Sequence, residues 1–442
     1  MQHSYEGLDR VGGFARVRLL APLRHRDFRL LWSGMCVSLV GDGIFFVALA
    51  WQVYKLSNVP GALAVVGIVM TVATIAFLLL GGVISDRVDR RRVMLAADAT
   101  RCLAVGAIAV LSLLGALALW EIVAMAALYG AGTAFFAPAF DAIVPEILPG
   151  DALAQANSLD QFVRPIALRM IGPVAGGVLI AALGTGTAFG VDALTFAASA
   201  AALLAMTARP RTSPVDRRIS IVGEIGAGSA YVRRHAWLWA TLLSAAVAYL
   251  LFMGPTEVLV PYMVKNELRG NAADLGLVFA AGGVGSLACA VALGQRGIPR
   301  RDITLMYIFW TLATFAVAGY GLAHALWGLM LASVAFNTLE TAGTIIWATA
   351  KQRHVPTALL GRVSSLDWLI SIGLLPASFA LTGPVSGAVG VRATLIGAGI
   401  IGGLVTLGAL FIPGVRAIEG GRPEHDAVSP RALRQTEVTL TH

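Results

Sequence analysis

The sequence predicts an all-α membrane protein: twelve transmembrane helices in two six-helix halves, with the N-terminus and the C-terminus inside. Three observations carry that expectation. Hydrophobic residues fill 57% of the 442 positions and charged residues only 13%, where a soluble domain is about a quarter charged. So little charge cannot cover a surface in water, and the bilayer must be the solvent. The apolar residues form repeated runs of about twenty or more, long enough to cross a hydrocarbon core. The basic residues gather between those runs, above all at 81–92, where Asp86, Arg87, Asp89, Arg90, Arg91 and Arg92 separate a pair of long apolar stretches.

Residues 1–27 are polar and arginine-rich and read as a cytoplasmic N-terminal segment. Within it, 14–26 could lie on the membrane surface as a short amphipathic helix. The first half, 28–208, holds spans at 28–54, 61–85, 93–118, 120–147, 158–183 and 187–208. A polar cytoplasmic linker at 209–236 follows, carrying Arg209, Arg211, Arg217, Arg218, Arg233 and Arg234. The second half, 237–413, holds spans at 237–263, 272–294, 302–322, 324–349, 363–382 and 391–413. Residues 414–442 form a short polar tail, expected to be disordered and cytoplasmic. Arg296, Arg300 and Arg301 take the place between the second and third spans of their half that Arg87–Arg92 take in the first, the mark of a parallel repeat.

The loop charges orient the chain. With the N-terminus inside, 26 of the 33 Lys and Arg fall in inside segments, counting Arg29 with the first. Four fall outside: Lys55, Lys265, Arg269 and Arg392. Arg101, Arg164 and Arg169 lie within spans or at their ends. That split is the positive-inside rule, and it requires an even number of spans. The net charge of +8 is therefore membrane anchoring, and no nucleic acid is expected as a partner.

Cys36, Cys102 and Cys289 lie in apolar runs, too widely spaced for a metal set or a disulfide framework. No metal and no cofactor is expected. No phosphate-binding G-x-x-x-x-G-K-[ST] occurs, which argues against direct use of ATP, and Gly282, Gly283 and Gly285 read as a helix-packing face. The first apolar run is too long for a signal-peptide core. No nucleophile and base occur at matching depth, so the chain is not expected to be an enzyme.

The 81–92 segment resembles the loop signature of the major facilitator superfamily, G-x-L-x-D-R-x-G-R-R. Gly82, Asp86, Arg87, Arg90 and Arg91 occupy its positions, with Ile84 for the leucine and Asp89 for the second glycine. With residues 23–32, 97–101 and 352–363, the chain is similar to the branch of macrolide-efflux and enterobactin-exporter-like proteins. The resemblance implies that Gly82, Asp86, Arg87, Arg90 and Arg91 belong to a gate. An acidic Asp86 at the end of the second span can favour the positive N-terminus of the eleventh, near Arg362. Gly172, Pro173, Gly176 and Gly177 are similar to the end of a motif found in proton-coupled antiporters of this superfamily; by themselves they read as a proline kink with a glycine packing face. The arginine that many such antiporters carry in the fourth span has no counterpart, since Tyr129 and Gly130 stand there.

Charges inside the spans carry the chemistry. An Asp or Arg at a helix centre costs about 2.5–3.5 kcal/mol, and a Leu returns only about 0.3–0.6 kcal/mol. Such residues line a cavity or find a partner. Asp42, flanked by Gly41 and Gly43 mid-way along the first span, is the first proton-coupling candidate, facing a central cavity or else held by an interhelical hydrogen bond or an ion pair, as with Arg164 or Arg169. Glu340 in the tenth span and Glu257 in the seventh are further candidates; Pro255 and Pro261 should make the helix around Glu257 irregular. Asn337, Arg164 and Arg169 are candidates for the substrate cavity, where either arginine could bind an anion, unless the arginines pair with Asp42, Asp160 or another acid. Asp98 and Arg101, three apart, can meet on one helix face as a gating or structural pair, and Asp192 reads as structural or as an outer gate.

With the resemblance, these residues imply a secondary active transporter, expected to export amphipathic, drug-like small molecules across the cytoplasmic (inner) membrane by alternating access, with protons as the counter-substrate. The lipid bilayer is its surroundings and a monomer is expected. An exporter of an endogenous siderophore or lipid-like metabolite is the alternative, and a non-transporting membrane receptor a more distant one.

Overall fold

The computed structural model describes residues 18–149, 152–207, 229–296 and 301–419, less the surroundings of a few residues inside helices. Among these residues twelve helices are long and apolar enough to cross a membrane. They are α1 (Arg26–Leu56), α2 (Pro60–Arg87), α3 (Arg90–Leu113), α4 (Leu119–Ile147), α5 (Leu153–Leu183), α6 (Thr185–Ala205), α7 (Ala236–Tyr262), α8 (Ala272–Arg296), α9 (Asp302–Leu322), α10 (Leu326–His354), α11 (Thr357–Val389) and α12 (Val391–Ala409). Large apolar side chains such as Leu103, Leu114, Trp120, Leu194, Trp327 and Phe411 point outward, as helices do when the solvent is lipid.

Local chemistry explains the joints. Pro60 opens α2, where its missing N–H costs nothing. Asp89 caps α3, accepting from the Arg91 N–H at 2.9 Å. Gly184 (φ +85°) joins α5 to α6, and Gly390 (φ +92°) joins α11 to α12. Each accepts a left-handed conformation that L side chains avoid, and the two stand at equivalent places in the two halves. The third span stops at Leu113, short of the expected 118, because the chain turns at Gly115 (φ +68°). The expected surface helix at 14–26 is described only from Arg18, where Arg18–Arg24 form a 3₁₀ turn.

Three helices are irregular. α5 carries a π-helical turn at Ile166–Ile171. Pro173 removes the N–H that would bond the Arg169 carbonyl, and the wider turn just before it absorbs the mismatch. The seventh span, by contrast, stays α-helical through Pro255 and Pro261 and turns π-helical only at Met263–Glu267. The irregularity expected around Glu257 therefore lies beyond it. α11 breaks at Leu374, between Thr357–Gly373 and Leu375–Val389.

The helices pack as two copies of one plan. The pairs α2–α4, α3–α4, α3–α6, α1–α6 and α1–α5 recur as α8–α10, α9–α10, α9–α12, α7–α12 and α7–α11. Two seams join the copies, α5–α8 and α2–α11. Both lie toward the face bearing residues 57–59, 184 and 390, called here the distal face. There Leu375–Val389 of α11 covers α2, and Gly172–Leu183 of α5 covers α8. Toward the terminal face, where α1 begins and α12 ends, Thr357–Gly373 and Leu153–Pro165 hardly touch those partners. The core shows the same asymmetry. One cluster runs unbroken from Phe45, Tyr54 and Phe189 to Phe252, Val258 and Leu395. Toward the terminal face it gives way to two clusters, one within 28–206 and one within 232–415.

Candidate functional site

The first half is built around a buried polar cluster. α1 supplies Asp42, α3 supplies Asp98 and Arg101, α4 supplies Tyr129, and α6 supplies Asp192. All five are buried. The Arg101 guanidinium donates to Asp98 Oδ1 and lies over the Phe136 and Phe196 rings, 4.6 and 4.4 Å from their centroids. Gly132 makes room for it, since a Cβ there would stand 2.7 Å from Arg101 Cγ. The pair that the spacing of Asp98 and Arg101 predicts is thus formed, inside the helix bundle. Tyr129 Oη donates to Asp42 Oδ1 at 2.6 Å, and its ring stacks on Phe45 with centroids 4.4 Å apart.

Asp42 therefore faces the interior of its own half, and its partner is Tyr129 rather than Arg164 or Arg169. Arg164 spans one helical turn to Asp160, with Nε and Nη2 each at 3.2 Å. Arg169, on the π-turn, reaches across to Asn337 Oδ1 at 3.5 Å and is exposed. Asn337 is held in turn by its own amide on Ser333 O at 2.9 Å. The two substrate-cavity candidates Arg169 and Asn337 come together from opposite halves, and Arg164 stands apart from them.

Glu340 accepts from Thr344 Oγ1 at 2.9 Å and lines a cavity in the second half with Tyr249, Phe252, Trp310, Phe336 and Thr406. Glu257 is exposed on α7. Among the described residues, then, Asp42, Glu257 and Glu340 do not form one constellation.

The glycines of α5 are packed on two sides, Gly172 and Gly176 against α1 and Gly177 against the seam with α8. A Cβ on Gly172 would stand 2.7 Å from Gly43 Cα, and one on Gly176 would stand 3.0 Å from Ile44 Cα. Gly177 meets the other half, 2.7 Å from Ala272 O, and a Cβ on Gly276 would collide with Pro173 O. A Cβ on Gly283 would likewise stand 2.7 Å from the Arg169 carbonyl oxygen. Tyr54 Oη donates to Val258 O at 2.6 Å. Lys265 Nζ reaches the Tyr54 carbonyl and, at 3.4 Å, Asn58 Oδ1.

Of the gate residues, Arg90 donates to Ala142 O at 2.8 Å and pairs with Glu146. Arg91 caps the end of α6, donating to Leu203 O and Leu204 O at 2.6 and 2.7 Å. Gly82, Asp86 and Arg87 fall outside the residues whose surroundings are described. Tyr129 is not among the residues the sequence singles out, although a hydroxyl at membrane depth is a signal, and Asp192, which reads as structural or an outer gate, lies in this cluster.

The family model described as transmembrane secretion effector, a division of the major facilitator superfamily, matches residues 17–429. The chain is 28% identical over 391 residues to the multidrug efflux pump Tap of Mycolicibacterium fortuitum, covering 86% of this chain and 94% of the pump. It is 23% identical over 381 residues to macrolide efflux protein A of Streptococcus pyogenes (83% and 90% covered). It is 26% identical over 405 residues to the enterobactin exporter EntS of Shigella boydii serotype 18 (90% and 89%). A bacterial homologue of the iron transporter ferroportin, crystallised in an inward-facing state, shares the fold at a TM-score of 0.64 and 15% identity, over 88% of this chain and 98% of that one. The resemblance carried by the 81–92 loop thus holds along the whole described chain: it belongs to the transmembrane secretion effector family of the major facilitator superfamily, and is a multi-pass membrane transporter of the efflux type with small-molecule substrates.

Proposed function

We propose that this chain exports amphipathic, drug-like small molecules across the cytoplasmic membrane in exchange for protons, acting as a monomer. The observation that carries this reading is the asymmetry of the seam: the two six-helix halves are packed together toward the distal face and diverge toward the terminal face. With the terminal face inside, as the loop charges favour, this is a state open to the cytoplasm and shut to the outside. Rocking the halves about the α5–α8 and α2–α11 seams would carry a midplane site from one face to the other. Arg169 and Asn337, Glu257, and the aromatic cavity beside Glu340 are the groups a substrate would meet. Gly82, Asp86 and Arg87, with Arg90 and Arg91, would close the inner face in the opposite state. Asp42 is the first candidate for the proton-carrying residue.

The test is transport in liposomes with an imposed pH gradient and ethidium as the probe. Proton-driven ethidium movement is expected of the native chain and loss of coupling of Asp42→Asn. Undiminished coupling in that variant would remove Asp42 from the role.

One observation favours a second reading, export of an anionic siderophore or lipid-like metabolite. Arg169 is exposed, and Asn337 reaches it only at 3.5 Å, so its guanidinium can meet an anion. The similar enterobactin exporter bears a siderophore in its name. Accumulation of one cellular anion in a deletion strain, without any change in drug sensitivity, would select this reading.

A further inference from the structure

The buried cluster of the first half holds more acid than Asp42 alone. Asp98 and Asp192 are each 0% exposed, Arg101 4% and Asp42 9%. Three carboxylates thus share the interior with one guanidinium. That guanidinium is committed: it donates to Asp98 and is sandwiched by Phe136 and Phe196. Asp42 receives one hydrogen bond, from Tyr129. Asp192 Oδ1 lies 3.2 Å from Thr195 Oγ1, whose single proton is shared with the Asp192 carbonyl at 2.7 Å, while its Oδ2 is buried with no hydrogen-bond partner.

Asp192 is also set against Gly41, the neighbour of Asp42 on α1, and lies within electrostatic reach of Asp42. Gly41 lets it in, since a Cβ at that position would collide with both Asp192 Oδ1 and Thr195 Oγ1. The groups within electrostatic reach of the two acids are Arg101 on α3, Tyr129 on α4, Thr195 on α6 and, for Asp42, Asp98 on α3 and Arg164 on α5 and, for Asp192, Cys102 on α3. Asp98 is paired with Arg101 through Oδ1, although its Oδ2 is likewise buried without a hydrogen bond, so Asp192 differs from it in having no ion-pair contact at either oxygen. Two further carboxylates in one dry site, which share the field of Arg101 but make no ion-pair contact with it, cannot both stay ionised cheaply. A bare buried carboxylate oxygen is costly, and a proton bound there removes its charge.

We propose that Asp42 and Asp192 form a single proton-binding pair inside the first half, with Asp192 carrying the proton on Oδ2 in the state described here. When the pair discharges, the Asp192 O–H bond breaks, the proton passes to water, and the carboxylate left behind faces Arg101. The site lies within one bundle, away from Arg169, Asn337 and Glu340. Proton and substrate would then communicate through the packing of α1 and α6 rather than by competing for one acid. This last step rests on the antiport reading above; the existence of the pair does not.

Infrared difference spectroscopy of the full chain in lipid nanodiscs tests it, with the proton as the only ligand. At neutral pH the native chain should show a protonated-carboxyl C=O band that shifts in D₂O. Asp192→Asn should remove about one carboxyl's worth of that band. Absence of the band, or its full retention in Asp192→Asn, would overturn the pair. Should Asp192→Asn fail to fold, Asp42→Asn serves: the remaining acid loses its like-charged neighbour, so the titration of the band must move, and an unmoved titration equally overturns the proposal. If the band behaves as expected but ethidium and protons move independently in liposomes, the pair stands and the antiport reading fails.

Discussion

Arg101 shows what a charge needs in order to sit in the middle of a membrane bundle. It has an acid three residues away, two aromatic faces, and a glycine opposite that leaves room for its stem. Remove any one and the others are left with a cost. Breaking one partner of a buried ion pair costs about 3–5 kcal/mol, while replacing both with apolar residues can be neutral. We therefore expect Arg101→Leu to lower the thermal unfolding midpoint in detergent strongly, and Asp98→Leu with Arg101→Leu to recover most of the loss. A double variant no more stable than the single one would mean that Asp98 finds its balance elsewhere. Residues of this kind were partly legible. Asp42, Asp98, Arg101 and Asp192 stand out because acids and arginines are rare in apolar runs. Their partners were not, because which faces of α1, α3, α4 and α6 meet depends on how the helices are rotated.

At the scale of the element, α5 is the clearest case. Its glycines predict close packing, and each of Gly172, Gly176 and Gly177 does lie where a Cβ would be crowded. What the sequence left open was the neighbour. Gly172 and Gly176 face α1, inside the half, and Gly177 faces α8, across the seam. Substitution at these places should act differently. Gly177→Val pushes its side chain into the backbone of Ala272 and Ala273, so it should oppose closure of the distal face. We expect faster modification of a cysteine placed at Asn271 by a membrane-impermeant thiol reagent, after Cys36, Cys102 and Cys289 are replaced. Labelling no faster than in the parent would show that the seam tolerates the added bulk. The π-turn before Pro173 was hidden for a related reason: a proline states that one hydrogen bond is missing, not how the helix redistributes the strain.

At the scale of the molecule, the state described here rests on few polar bonds across the seam. Lys265 is the most informative, because its ammonium reaches the last turn of α1, where a cation is favoured by the exposed carbonyls. A hydrogen bond involving a charged group contributes about 1.5–3 kcal/mol, and about 1.4 kcal/mol changes a population tenfold. Lys265→Gln should thus shift the balance of states by about tenfold or more toward an open distal face. Spin labels at Ser57 and Arg269 should report a longer distance distribution; an unchanged distribution would mean that the glycine seams alone hold the face shut.

The sequence by itself determined the solvent, the helices and their number, because apolar length and charge placement answer only to the bilayer. It also determined the repeat and the family, through the charged loop at 81–92 and its weaker echo at 294–301. That loop marks where two helices are joined, while the buried acids and their partners lie elsewhere. Only the tertiary structure decided that Asp42 turns toward Tyr129 and Asp192 rather than toward the gap between the halves, and that the distal face is the closed one. Both are settled by contacts between residues far apart in the chain, where steric room left by a glycine, not the identity of the charge, selects the partner.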